Sequence, residues 1–277
     1  MSGQPETPTG PTSARIDTTV AHPARRYDYL LGGKDNFAAD RESGDKLIAA
    51  FPTIRIGAQE NRRFLRRAVT YLTSQAGIRQ FLDIGTGIPT SPNTHEVAQA
   101  IAPESRVVYA DNDPIVLAHA RALLTSTPEG ATAYLDADLH RPEQILEHPD
   151  LHRTLDLTRP VALMLVAVLH FMPDTDDPQG IVGRLVRALA PGSFLVVSHV
   201  TYDFLPPRTA TQLDRIVSAE PFRARTRAEL AAFFDGLDLV DPGIVSLGQW
   251  RAEDEPGPRP TVAEVGGYGA IARVPSV

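Results

Sequence analysis

Apolar positions along this 277-residue chain change their period near residue 80. Ahead of that point they recur three and four apart, as on one face of a helix. Beyond it they gather in short unbroken runs separated by helical stretches. Three helices are expected first. Arg25–Leu31 stops at Gly32-Gly33, Phe37–Ala50 stops near Pro52, and the third runs from about Ala58 to Ser74. Phe64, Leu65, Ala68, Val69 and Leu72 give the third helix one apolar stripe, and Arg62, Arg63, Arg66 and Arg67 read as its solvated face. Residues 1–14, rich in Pro, Ser, Thr and Gly, are expected to be a disordered tail. Residues 15–78 then form an N-terminal helical cap on a domain spanning 79–277.

From Phe81 onward the pattern alternates. Strands are expected at Phe81–Ile84, Val107–Ala110, Ala131–Leu135, Val161–Leu169 and Ser193–Ser198. The intervening helices pass through Val97, Ala98 and Ile101; start at Pro114 and carry Val116, Leu117, Ala120, Leu123 and Leu124; lie around Pro142–Glu147; and lie near Gly180–Leu189. Helices near Ala210–Ser218 and Arg227–Phe234 follow, then β-like runs at Leu237–Val240, Ile244–Leu247 and Tyr268–Val274. The last two runs read as a hairpin across the polar loop Arg251–Gly266. The expected class is α/β: a mostly parallel sheet with right-handed crossovers, one antiparallel strand near the C-terminus, and the helical cap.

Composition narrows the possibilities. There is no Cys, which excludes disulfides, zinc-thiolate sites and a Cys nucleophile. No run approaches the roughly 18–20 apolar residues of a membrane span, and the N-terminus lacks a signal peptide's basic start and apolar middle. A cytoplasmic protein with no membrane partner is expected. A net charge of −7 argues against a nucleic-acid partner. His148 and His152 are four apart, but Pro149 interrupts the helix that would align them, so no metal site is expected. Oligomeric state is left open.

Candidate chemistry centres on Gln80–Thr90, where an apolar strand runs into Gly85-Thr86-Gly87 and then a helix start, with Ser91 as N-cap and Pro92 at the first helical position. A dinucleotide site wants a third glycine, but Thr90 stands there. The acidic residue ending the second strand lies about 26 positions past Gly85, against roughly 20 for a nicotinamide site. S-adenosylmethionine has no phosphate and needs no third glycine. It asks for backbone approach at its methionine end, an acceptor for the ribose diol and an acceptor for the adenine amine. Asp111 and Asp138, closing the second and third strands, fit those needs. Asp113, just before Pro114, is read as a helix N-cap.

Leu82-Asp83-Ile84-Gly85-Thr86-Gly87, Val108–Pro114 and Asp136-Ala137-Asp138-Leu139 resemble the first three motifs of S-adenosylmethionine-dependent methyltransferases with a Rossmann-like sheet. Tyr27–Phe37 resembles a largely actinobacterial branch of that family, long labelled a domain of unknown function. The resemblance implies binding of S-adenosyl-L-methionine and methyl transfer, and the acceptor is expected to be a small molecule. Asp83, Gly85 and Gly87 would shape the methionine pocket, Asp111 with Asn112 would hold the ribose, and Asp138 with Leu139 would flank the adenine. Tyr29 and Asn36, with Tyr27, Lys34, Asn61 and Arg62, would reach over from the cap. His170, in Leu169–Asp174, is similar in position to the base of small-molecule O-methyltransferases, although Phe171 and Met172 depart from that pattern. His199 is a second candidate. A cofactor-binding regulator without turnover and a nicotinamide oxidoreductase are the alternative readings.

Overall fold

A computed structural model describes residues 17–123, 125–218 and 220–276. The tail expected at 1–14 and Leu124 lie outside the described residues. Helix α1 (Pro23–Leu31) begins on Pro23 and ends on Gly32, whose φ of 85° only glycine adopts without strain. Helices α2 (Ala38–Ala50) and α3 (Ile54–Ser74) follow. α3 starts a turn earlier than the pattern suggests, taking in Gly57. A methyl group on Gly57 would stand 2.6 Å from the Val265 carbonyl oxygen, so a tertiary contact explains the glycine within the helix.

Strands and helices then alternate: β1 (Gln80–Ile84), α4 (Thr94–Ile101), β2 (Arg106–Asp111), α5 (Pro114–Leu123), β3 (Ala131–Asp136), α6 (Pro142–Leu146), α7 (Pro149–Thr154), β4 (Ala162–Val166), α8 (Pro178–Arg187), β5 (Phe194–Val200), α9 (Pro207–Val217), α10 (Arg227–Ala231), β6 (Asp238–Leu239), β7 (Val245–Ser246), α11 (Val262–Val265) and β8 (Gly267–Arg273). The sheet order is β3-β2-β1-β4-β5-β8-β6, with β7 also on β8. β1 to β5 are parallel and β8 runs antiparallel to β5 and to β6. The architecture is thus the expected Rossmann-like one, with the antiparallel strand set inside the sheet.

Alternate residues of each strand point to opposite faces, and both faces are covered. Leu82, Val108, Leu163 and Leu195 pack with Ile145, Leu151, Ile181 and Leu185 on one side. Phe81, Val107, Met164 and Val196 pack on the other with Phe64, Leu65, Ala68, Val69 and Leu72 of α3. α3, which precedes the first strand, therefore shares the core of the sheet.

Several expectations are corrected. α4 starts at Thr94, two residues past Pro92, because Asn93 and Glu96 form a reciprocal capping box at its N-terminus. Ser91 and Pro92 lie in the preceding loop. The fourth strand ends at Val166. Ala167 takes a left-handed φ of 57° while its N–H bonds Ser198, and Leu169–Phe171 forms a 3₁₀ turn. The arginines of α3 are not one solvated face. Arg67 is buried, donating to the carbonyls of Leu247 (2.6 Å) and Trp250 (2.7 Å) and pairing with Glu255.

Candidate active site

The C-terminal ends of β1 to β5 open onto one cavity of about 580 Å³. Open α/β sheets bind ligands at this edge. β1 delivers Asp83, whose Oδ2 accepts from the Thr94 hydroxyl at 2.6 Å. Burial raises its pKa from 3.8 to about 6. The chain then turns through Gly85 (φ 73°) and Gly87 (φ 64°). The two glycines serve different ends. A methyl on Gly85 would strike Val168 at 2.4 Å, whereas one on Gly87 would meet nothing nearer than Ala24, 4.0 Å away. Gly85 lets the β4 loop pack against the turn, and Gly87 leaves its backbone open to the cavity.

β2 ends on Asp111, buried against the turn. Its Oδ2 accepts from Gly87 N and its Oδ1 from Asp113 N, both at 2.9 Å. Burial raises its pKa, and the two backbone donors oppose that. Each oxygen keeps a further lone pair for a ligand. Asp113 instead accepts from Ile115 N at 2.9 Å and faces His22, 2.9 Å away, at the start of α5. Past β3, Asp138 and Leu139 line the cavity with Asn112. Burial pushes the Asp138 pKa up, but hydrogen bonds from the His140 backbone and ring outweigh it and hold the carboxyl below its ordinary value.

The other half of the cavity lies under α1, α2 and α9. Leu30, Leu47, Ile54, Leu205, Leu213 and Val217 make its apolar wall. Arg26 crosses to Glu220 in a two-pronged ion pair of 2.5 and 2.7 Å. Tyr27, Asn61 and Ser198 form a chain: Ser198 donates to Asn61 Oδ1 (2.5 Å) and Asn61 Nδ2 donates to the Tyr27 hydroxyl (2.9 Å). His170 lies between the halves, its ring against Phe171 and Phe222. Its buried Nδ1 has no hydrogen-bond partner among the described residues. Burial, then the positive charges around it, push its pKa well below 6.5 and keep the ring neutral.

The profile of the S-adenosyl methyltransferase family matches residues 9–275. The chain belongs to that family. The methyltransferase is 51% identical to a DUF574 family protein of Streptomyces avermitilis, across 94% of this chain and 100% of that one, and the two structures superpose with a TM-score of 0.89. It is 42% identical to a Thermobifida fusca protein described as a candidate methyltransferase, across 94% and 97% of the two chains, with a TM-score of 0.85. No curated protein matches it significantly. The family uses S-adenosylmethionine, and the groups described above fit that molecule. They offer an open glycine backbone, a carboxylate with a free lone pair on each oxygen, and a second carboxylate one strand further along.

Not every residue singled out in the sequence meets at the methyltransferase's cavity. Asp83, Gly85, Gly87, Asp111, Asn112, Asp138, Leu139 and His170 do. Tyr29 does not line it: its hydroxyl donates to Asp45 (2.7 Å), and Arg55 lies over its ring. Asn36 does not either, because it braces its own turn, donating to Asp28 (2.8 Å) and the Gly33 carbonyl (3.1 Å). His199 lines the cavity but both its nitrogens are engaged within the protein. Sequence reasoning missed Arg225, which is almost fully buried. It donates to the carbonyls of Leu169 (3.0 Å) and Met172 (2.8 Å), to His199 and to Asp174, and so fastens the loop that carries His170. Its sequence surroundings, Phe222–Thr226, carry no motif. The pair Arg26–Glu220 was missed for the same reason.

Proposed function

We propose that this methyltransferase acts on a small, largely apolar molecule bearing one protonated oxygen or nitrogen, with Asp83, Gly85, Gly87, Asp111, Asn112, Asp138 and Leu139 holding S-adenosylmethionine. The observation that carries this reading is the continuity of the cavity. The carboxylate-lined half runs straight into a chamber walled by Leu30, Leu47, Ile54, Leu205, Leu213 and Val217, within a volume of the size usual for small ligands. Arg26 is already neutralised by Glu220, and the Tyr27–Asn61–Ser198 chain satisfies itself. The imidazole of His170, with a nitrogen unpartnered among the described residues, is a polar group of this lining placed to meet an acceptor.

When bound, S-adenosylmethionine supplies an electrophilic sulfonium methyl. The protein's part is to orient the acceptor atom and to exclude water, which is worth up to roughly 7–11 kcal/mol. Neutral His170 accepts the proton the acceptor atom gives up, worth typically 10²–10⁴-fold. The burial and, after it, the positive surroundings that keep it neutral make it a weak base, which suits an acidic hydroxyl such as a phenol better than an aliphatic alcohol.

S-adenosylhomocysteine release, followed over a panel of phenols, aromatic amines and aliphatic alcohols, tests this. His170→Ala should keep S-adenosylhomocysteine affinity in calorimetry while turnover drops at least about tenfold. Transfer to protein or nucleic acid alone would reject the small-molecule reading, and unchanged turnover would reject the role of His170.

A further inference from the structure

The cavity changes character along its length. At its middle, half-buried Phe171 and Phe222 flank the imidazole of His170, their ring centroids 4.3 and 5.5 Å from it. All three line the cavity, and His170 keeps a buried nitrogen without a partner among the described residues. Phe222 is pinned on both sides. Two positions before it, Glu220 accepts from Arg26 of α1; one position after it, the Arg223 N–H donates to the His170 carbonyl at 2.8 Å.

Beyond Phe222 the lining turns aliphatic. Leu47 and Ala50 of α2 and Leu213 and Val217 of α9 form an apolar cluster separate from the two that cover the sheet. Phe222 packs against this cluster, and Leu47, Leu213 and Val217 line the cavity. Arg26 and Glu220 neutralise one another at this end, so a further charge buried there would stay uncompensated.

The two zones select for different chemistry. Phenyl rings beside a base favour a flat aromatic ring, through offset or edge-to-face contact. A neutral imidazole of low basicity suits the acidic hydroxyl of a phenol. An aliphatic pocket favours an uncharged chain, by up to about fourfold in affinity per buried methylene.

We propose that the acceptor is an alkyl-substituted phenol, with its hydroxyl at His170, its ring against Phe171 and Phe222, and its chain among Leu47, Leu213 and Val217. The proposal rests on the reading of this site as that of a small-molecule methyltransferase and deepens it: Phe222 selects the ring and Leu213 limits the chain.

The test is calorimetry of 4-alkylphenols, from phenol to 4-octylphenol, on protein saturated with S-adenosylhomocysteine, with methyl transfer to the same compounds followed in parallel. Affinity should rise about two- to fourfold per methylene and stop rising once the chain fills the chamber. 4-Alkylcyclohexanols of equal chain length should bind at least about threefold more weakly, and Phe222→Leu should narrow that ratio. Leu213→Phe should move the stop to a shorter chain, with S-adenosylhomocysteine affinity within about twofold of the parent's. Should either variant fail to fold, the two series on the unaltered protein still decide. Affinity independent of chain length, cyclohexanols equal to phenols, or equal binding of a phenol whose chain ends in a carboxylate would overturn the proposal. Transfer to short phenols or amines would in those cases leave the small-molecule reading standing. Methyl transfer to protein or nucleic acid alone would overturn both.

Discussion

Arg225 meets His199 across 3.1 Å, and that contact decides the tautomer of the histidine. A guanidinium has only donors, so His199 Nε2 must accept. The ring proton is then on Nδ1, which donates to the Val200 carbonyl at 2.7 Å. His199 is thereby fixed neutral, and burial takes its pKa from 6.5 down to about 4. It serves as a wall and anchor beside His170, their ring centroids 5.6 Å apart.

Removing Arg225 strands two acceptors at once. Arg225→Met leaves the Met172 carbonyl and the His199 Nε2 without this donor, and leaves the Leu169 carbonyl with the Met172 N–H alone. Stability in urea should fall by about 3 kcal/mol, since each buried unpaired group costs about 1–3 kcal/mol and some will find water. At temperatures where the variant is folded, turnover should fall more than S-adenosylhomocysteine affinity, because the loosened loop carries His170 rather than Asp111. A proportional loss of both would remove the positioning role.

Acid stability should reveal two opposed buried groups. His199 has a depressed pKa, so its contribution is full above 6.5 and is lost as the pH falls toward 4. Asp83 has a raised pKa, so its contribution is full below 3.8 and is lost as the pH rises through about 6. At 1.36 kcal/mol per pKa unit each shift is worth about 3 kcal/mol, and the two largely cancel between pH 4 and 6. Asp83→Asn should therefore be more stable than the parent at pH 7 and lose more stability on acidification to pH 4.5, by about 2–3 kcal/mol in urea titrations. Parallel pH profiles would show that Asp83 is not destabilised as a carboxylate.

The two acidic residues at the end of β2 should behave differently. Asp111→Asn should weaken S-adenosylhomocysteine at least about tenfold, the scale of one lost charge-assisted hydrogen bond. Asp113→Asn, which alters the start of α5 and the contact with His22, should leave that affinity within about twofold. The reverse order in calorimetry would reject Asp111 as the proposed ribose contact in favour of Asp113.

The glycines of the turn should also separate. Gly85→Ala must push Cβ into Val168 at a left-handed φ, and should lower stability by roughly 2–4 kcal/mol. Gly87→Ala meets open space, so its cost is the backbone strain alone, about 1 kcal/mol. The methyl would project toward the cavity, so its larger effect should be on S-adenosylhomocysteine affinity. Thermal unfolding and calorimetry on both variants check the distinction.

His170 should give a flat acid limb. Because its pKa lies well below 6.5, turnover should not fall as the pH drops from 8 to 6.5. A loss of activity centred near 6.5 would mean that the ring titrates as an ordinary exposed histidine.

The order of strands and helices was legible along the chain because fully buried strands need unbroken apolar runs and the covering helices need apolar stripes. Phe81–Ile84 and the stripe from Phe64 to Leu72 are examples, and both sit in the core. The placement of Gly85, Gly87, Asp111 and Asp138 at one edge was legible too, since parallel strands bring their C-terminal ends together. Local turn chemistry was harder. The capping box of Asn93 and Glu96 outweighed Pro92, and Ala167 ended a run whose apolar character continued to Leu169.

By itself the sequence determined the α/β class, the glycine turn and the acidic residues that close β2 and β3, all of which follow from periodicity and short-range geometry. Only the tertiary structure decided which polar residues reach the cavity. Tyr29 and Asn36 turned to partners at Asp45 and Asp28, while from beyond β5 Glu220 came in to line the cavity and Arg225 to fasten the loop that carries His170. Such pairings depend on charges meeting across long stretches of chain. Arg26 and Glu220 are 194 positions apart, and no periodic pattern encodes a contact at that separation.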